Sequence, residues 1–157
     1  MIIWRGLGFL GALFGFVAML VFVGGGASIM GDAFNTFGGF SAAVGLLLAA
    51  GGCWFVGQYI NQTKPQRVLD EWLPARRAQL DQLVTSGGFQ IGPGQPRPSS
   101  EAEARAQADF LLEQETAMRR QSFNQHTLFW IPLQYIAFGY AAIVVVILAL
   151  AVITVVG

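Results

Sequence analysis

Three apolar runs without a charged side chain, at roughly residues 7–24, 38–60 and 131–156, constrain this 157-residue chain more than any other feature. Each reaches the ~20 residues that an α-helix needs to cross the hydrocarbon core of a bilayer. The fold expected is an all-α membrane protein: three transmembrane helices with a helical cytoplasmic insert between helices 2 and 3. The expected divisions are a transmembrane helical hairpin at 1–60, the insert at 61–126 with a flexible Gly/Pro connector at 85–100, and the third transmembrane helix at 127–157.

The charges are segregated accordingly. Only 11% of residues are charged, against ~25% in an ordinary soluble domain. All the Lys and Arg except Arg5 lie between Lys64 and Arg120, and all the Asp and Glu except Asp32 lie between Asp70 and Glu115. The middle of the chain is therefore one water-exposed block. Its charges balance, so it carries no basic footprint for nucleic acid. The opening resembles a signal peptide in having Arg5 before an apolar run and small residues at 25–27. That run is too long for a usual signal core and is broken by Gly8, Gly11 and Gly15, so a retained first helix is expected.

Short connections rich in Lys and Arg stay in the cytoplasm. Lys64 and Arg67 follow the second run, and Arg119 and Arg120 precede the third, whereas connection 25–36 has no basic residue. The expected topology is multi-pass, with the N-terminus and residues 61–126 cytoplasmic and the C-terminus outside. Trp4, Trp54, Tyr59, Trp130 and Tyr135 then fall near the cytoplasmic face, where amphipathic rings prefer the headgroup level. Phe34, Phe37 and Phe40 fall near the outer face.

In the second run Ser41, Gly45, Ala49, Cys53 and Gly57 recur every four residues along one slowly drifting helical stripe. Between helices in lipid, close backbone approach and dispersion drive association, and small residues permit it. Gly11 and Gly15 form a shorter version in the first run. The ridge serves packing within the chain or contact with another subunit, self or foreign. The third run is bulkier, with Gly139, Ala141 and Ala142 offering one local contact.

Within the insert, Leu69, Leu73, Leu80 and Leu83 make an apolar stripe, with Arg76 in the missing place and Val68 and Trp72 widening it. Pro74 is expected to kink or restart that helix. A second helix starts at Ser100, which forms a capping box with Glu103; the pairs Glu101–Arg105 and Glu115–Arg119 support it at four-residue spacing. Its apolar residues are Phe110, Leu111, Leu112 and Met118. The two helices lean on each other, on the membrane surface or on another protein.

No motif for chemistry emerges. Gly92-Pro-Gly94 lacks the Lys and Ser/Thr of a phosphate loop. Cys53 is the only cysteine, which excludes an intrachain disulfide, and reads as an inert packing residue. His126, the only histidine, has no acid–nucleophile pair nearby in sequence and reads as structural or interfacial. No Asp, Glu, Lys, Arg or His lies well inside an apolar run, unlike an ion-coupled transporter. The expectation is a non-enzyme with no catalytic, metal-ligating or cofactor-binding residues and no cofactor.

Two boxes carry a resemblance. The opening Met1-Ile-Ile-Trp-Arg-Gly and the run His126-Thr-Leu-Phe-Trp-Ile-Pro-Leu-Gln-Tyr135 resemble segments of uncharacterised small bacterial inner-membrane proteins, the second standing before their last membrane helix. The long insert 61–126 departs from the short forms of that group. In the second box, Phe129 and Trp130 suit the headgroup boundary and Pro132 the first turn of a helix, while His126 and Gln134 add polar groups. With Tyr135, Arg119 and Arg120 they form a candidate membrane-interface or partner-docking patch. The expected role is an accessory, assembly or scaffolding subunit of a larger membrane complex, its partners lipid and other membrane subunits or copies of itself. The alternative is a homo-oligomeric channel or transport component.

Overall fold

The computed structural model describes residues 4–92 and 94–156. Residues 1–3 of the opening box, Pro93 and Gly157 lie outside them, as do the side chains of Trp4 and Val156. The chain is mostly helical and forms two compact units, Thr63–Phe123 and the apolar remainder on either side of it.

In the apolar unit, β1 (Trp4–Arg5) and a 3-10 turn lead into α1 (Leu10–Met19), a π-helical turn (Leu20–Gly25) and α2 (Gly26–Met30). The chain reverses at Gly31, whose φ of 54° costs a glycine little. A short 3-10 turn then opens α3 (Phe34–Gln58). The link expected at 25–36 is thus helical almost throughout, with the reversal concentrated in one residue. After the second unit come β2 (Thr127–Leu128), β3 (Ile131–Pro132) and α6 (Leu133–Val156). β1, β2 and β3 form a small antiparallel sheet, which hydropathy does not foretell.

The helices pack through a heptad seam. On α3, Gly39, Ala43, Leu46, Ala50, Cys53 and Gly57 face α6 at alternating spacings of four and three; on α6, Leu133, Ala137, Tyr140, Val144, Ile147 and Ala151 face back with the same alternation. That is the pattern of two helices crossing at a shallow angle. The two run antiparallel: a Cβ on Gly39 would stand 2.9 Å from Ala151 Cβ, and one on Gly57 would stand 2.4 Å from the Gln134 backbone nitrogen. Gly8, Gly11, Gly15 and Ala18 are the buried positions of the first helix and follow the same rule.

The expected four-residue ridge is therefore split between two neighbours. A repeat of four drifts by about 40° per step in a helix of 3.6 residues per turn, or about 160° over four steps. Ser41 and Gly45 accordingly face Phe22 of the first helix, while Cys53 and Gly57 face α6. Ser41 Oγ donates to the Phe22 carbonyl (2.6 Å), which lies in the π turn where regular helical pairing is disturbed. Gly11 and Gly15 lie against Ile136 and Tyr140 of α6, and the Tyr140 hydroxyl donates to the Gly11 carbonyl (2.6 Å). Gly139, a suggested contact on the third run, has nothing within 4 Å of a built Cβ, and Ala142 is exposed.

Two helical runs are long and apolar enough to cross a membrane: Gly6–Thr85, folded back at Gly31, with a mean hydropathy of 2.4, and Leu133–Val155, with 2.9. Only 22% and 17% of their most apolar windows are buried, whereas the core helix of a soluble protein is mostly buried. Leu48, Phe55, Val145 and Ile153 are among the large side chains left exposed.

The second unit pairs α4 (Lys64–Thr85) with α5 (Glu101–Arg120). α4 passes through Pro74 unbroken, so the expected restart does not occur. Its buried face is Leu69, Leu80 and Val84, with Leu73 and Trp72 partly covered; Leu83 and Val68 of the expected stripe are exposed. α5 contributes Ala104, Ala108 and Leu112, whereas Phe110 and Met118 face out. Small residues at its contact face let the helices approach closely without a thick core. Arg76 and Glu115 join the helices by two parallel hydrogen bonds of 2.7 and 2.8 Å. Glu115 is therefore not the partner of Arg119, whose guanidinium instead lies 4.1 Å from the Trp72 ring centroid. Glu101–Arg105 forms as expected, at 2.7 Å. At the N-cap, Ser100 Oγ accepts from the Glu103 N–H, but the Glu103 carboxylate accepts from Ser99 rather than Ser100.

The Gly/Pro segment after α4 is pinned by Phe89, 3% exposed within the α4–α5 core. Phe89→Ala is expected to cost this unit about 3 kcal/mol, the usual size of a large-to-small change in a core. Faster amide exchange in residues 85–100 and the facing turns of α4 and α5 would register the loss.

Candidate functional site

Where the second apolar run ends, the chain places three amides and a histidine that do not belong to any hydrophobic stripe. Asn61 lies in the π turn after α3, Asn124 and His126 lie in the segment before β2, and Gln134 lies in the first turn of α6. Asn61 and Gln134 are both 1% exposed. A buried amide without partners costs ~1–3 kcal/mol per group, and these have partners. Asn61 Nδ2 donates to Gln134 Oε1 (2.8 Å) and to the His126 carbonyl (3.1 Å), while Asn61 Oδ1 accepts from the His126 N–H (2.9 Å). Gln134 Nε2 and Gln62 Nε2 both donate to Asn124 Oδ1, at 2.8 and 2.6 Å. The Asn124 N–H donates to the Asn61 carbonyl (3.3 Å). Asn124 adopts a φ of 56°, which asparagine tolerates better than most residues.

This clasp ties the end of α3 to the start of α6, at the two points where the chain leaves and re-enters the apolar unit. His126 extends it to the N-terminal segment. The Leu7 N–H donates to His126 Nδ1 (2.9 Å), which puts the ring proton on Nε2 in this arrangement. The ring rests on Gly6, where a Cβ would lie 2.3 Å from Nδ1. Gly8 is equally confined: its Cβ would meet the Thr127 carbonyl oxygen at 1.8 Å.

The box from His126 to Tyr135 is a β-hairpin, not simply the entry to a helix. Leu128 pairs with Ile131, and the two residues between them, Phe129 and Trp130, have φ of 49° and 64°. Positive φ at both central residues is the type I′ turn, a place usually taken by Asn-Gly. Pro132 ends the second strand instead of opening α6, and its missing N–H deprives no helical bond. Trp4 pairs with Leu128 and Arg5 with Thr127, so the opening segment and the His126–Tyr135 box are joined in one sheet.

The predicted docking residues thus part company. His126 and Gln134 are internal ties. Phe129, Trp130 and Tyr135 are half or more exposed. Arg119 and Arg120 belong to the other compact unit. Sequence reasoning missed Asn61, Gln62 and Asn124; the available signal was a run of amides bordering both apolar segments.

The clasp can hold geometry but offers no nucleophile or acid–base pair. Among the described residues, no three His, Cys, Asp or Glu side chains are grouped to hold a metal. An apolar crevice of about 180 Å³ runs between the first helix and α3, lined by Phe14, Val17, Phe22 and Leu48. No protein-family model, curated protein or solved structure matches this chain.

Proposed function

We propose that this protein is a non-enzymatic accessory, assembly or scaffolding subunit of a larger bacterial membrane complex. The observation that supports it best is the clasp at Asn61 and Asn124. It secures the exit and return of a separately folded two-helix arm within an apolar helical base. In this reading the first helix, α3 and α6 cross the inner membrane, three crossings in all. The Thr63–Phe123 arm stands in the cytoplasm, and the C-terminus lies outside. Large apolar side chains on the outer flanks of the base meet lipid or neighbouring subunits. The resemblance of the two sheet-forming boxes to small inner-membrane proteins agrees with this location, and the arm is where this chain would meet its particular partner.

Extraction from native membranes in mild detergent is expected to bring down a stoichiometric partner. Phe110→Glu with Met118→Glu, on the exposed side of α5, is expected to remove that partner while the protein stays in the membrane. A chain that purifies alone would overturn the proposal. A self-crosslinked ladder with ion conductance in liposomes would establish the channel alternative in its place. Topology has its own check: a cysteine at Gln95 in a Cys53→Ala background should react with an impermeant maleimide only after the cells are opened.

A further inference from the structure

Phe129 and Trp130 stand in a conformation that neither side chain favours. A bulky residue in the left-handed region costs of order 1 kcal/mol or more, and an Asn-Gly pair would relieve it. Yet the rings gain no compensating burial: Phe129 is 55% exposed and Trp130 67% exposed. The turn thus points two costly aromatic side chains outward, and Ile131 beside them is also exposed.

The level at which they emerge is defined by packing. Gly57 of α3 lies against the Gln134 backbone, and Trp54 meets Phe138 edge-on at 5.6 Å. Phe55 on α3, Tyr59 at the start of the π turn after it, and Tyr135 and Phe138 on α6 are exposed around the same level, the last two stacked at 6.5 Å. The far end of α6 exposes Leu150, Val152, Ile153 and Val155 instead. α6 has 24 residues, about 36 Å at 1.5 Å per residue, against about 30 Å of hydrocarbon, so its first turn reaches the lipid boundary. Rings with an apolar body and a polar edge concentrate at that boundary.

We infer that the Phe129–Trp130 turn is a lipid anchor. It inserts into the headgroup layer and, with the aromatic collar around it, sets the depth of the helical base. The occupant of this surface is the phospholipid interface, not a protein groove. The inference rests on the membrane-spanning reading above, and the test separates the two.

The protein with Trp4, Trp54 and Trp72 replaced by Phe retains Trp130 as its only tryptophan. In phosphatidylcholine–phosphatidylglycerol vesicles, lipid brominated near the headgroup end of the chain is expected to quench it roughly twofold more than lipid brominated near the chain terminus. Aqueous acrylamide should quench it weakly. A second variant also carries Trp130→Phe and Val145→Trp, on an exposed face of α6. It is expected to show the reverse preference for the two lipids. Trp130 quenched by acrylamide but by neither lipid, with Val145→Trp quenched by deep bromine, overturns the anchor alone. Quenching of neither tryptophan by lipid overturns the spanning reading with it. Should the multiple variant fail to fold, a spin label on Ile131→Cys in Cys53→Ala takes its place. Contact with a water-soluble nickel relaxant as full as that of an exposed arm residue would refute the anchor.

Discussion

Gly57→Ala is expected to destabilise the helical base by about 3 kcal/mol, a large effect for one added methyl group. The new Cβ would lie 2.4 Å from the Gln134 backbone nitrogen and 2.7 Å from its Cα. Backbone has no rotamer to escape into, so α3 and α6 must move apart along a seam made of such close contacts. The displacement would also pull Gln134 off Asn61. Gly51 and Gly139 supply the control, since nothing lies within 4 Å of their built Cβ atoms. Alanine there should be neutral or stabilise by up to about 1 kcal/mol, the ordinary gain from removing a helical glycine. Denaturant unfolding of the three variants in detergent, followed by helicity, gives the comparison. Equal midpoints for Gly57→Ala and Gly51→Ala would refute the close approach of α3 and α6.

Asn61→Ala is expected to cost a similar amount, about 3 kcal/mol. The change removes three hydrogen bonds and strands the His126 N–H and the Gln134 Oε1 atom. Hydrogen bonds between membrane helices average only ~0.6 kcal/mol, because the unfolded chain finds other partners. That average does not govern here. Asn61 is 1% exposed and holds three chain segments at once, so the stranded groups have no ready substitute. Asn61→Asp should be worse than Asn61→Ala. A carboxylate keeps the acceptor for His126 N–H, but it turns an oxygen toward the Gln134 and His126 oxygens that now receive Nδ2. The signature of clasp loss is faster amide exchange at residues 124–134 and at Leu7, with α4 and α5 unchanged. A stability change spread evenly over both units would argue against the clasp as a local tie.

The helical class was legible because long apolar runs leave their backbone groups few partners other than those within a helix. The start of α5 was legible in its Ser100 cap, which the helix uses. What periodicity did not distinguish was which face met which neighbour. Ser41, Gly45, Ala49, Cys53 and Gly57 form an attractive repeat, yet Ala43, Leu46 and Ala50 are just as much part of the α6 contact. Nearly every side chain in such a run is apolar, so the inner and outer faces differ only in size. In the arm, Glu115 had two basic residues to choose from, and only the α4–α5 packing chose Arg76.

The candidate site was half legible. His126, Gln134 and the aromatic pair stood out as unusual side chains at an apolar boundary, but their division into internal ties and an exposed turn was hidden. The hairpin was invisible because Phe-Trp is a poor turn sequence, and among the described residues β1 offers only Trp4 and Arg5 as a signal. β2 also pairs with β1, more than a hundred residues away.

Taken alone, then, the order of residues determined the local matters: which stretches coil into helices, which of them shun water, and where charge collects. Those follow from short-range sterics and solvation, which each segment carries with it. The pairing of the opening strand with the hairpin, the Asn61 clasp and the heptad seam between α3 and α6 were decided only by the folded chain. Each depends on hydrogen bonds or contacts between groups far apart in sequence, and no segment by itself names its partner.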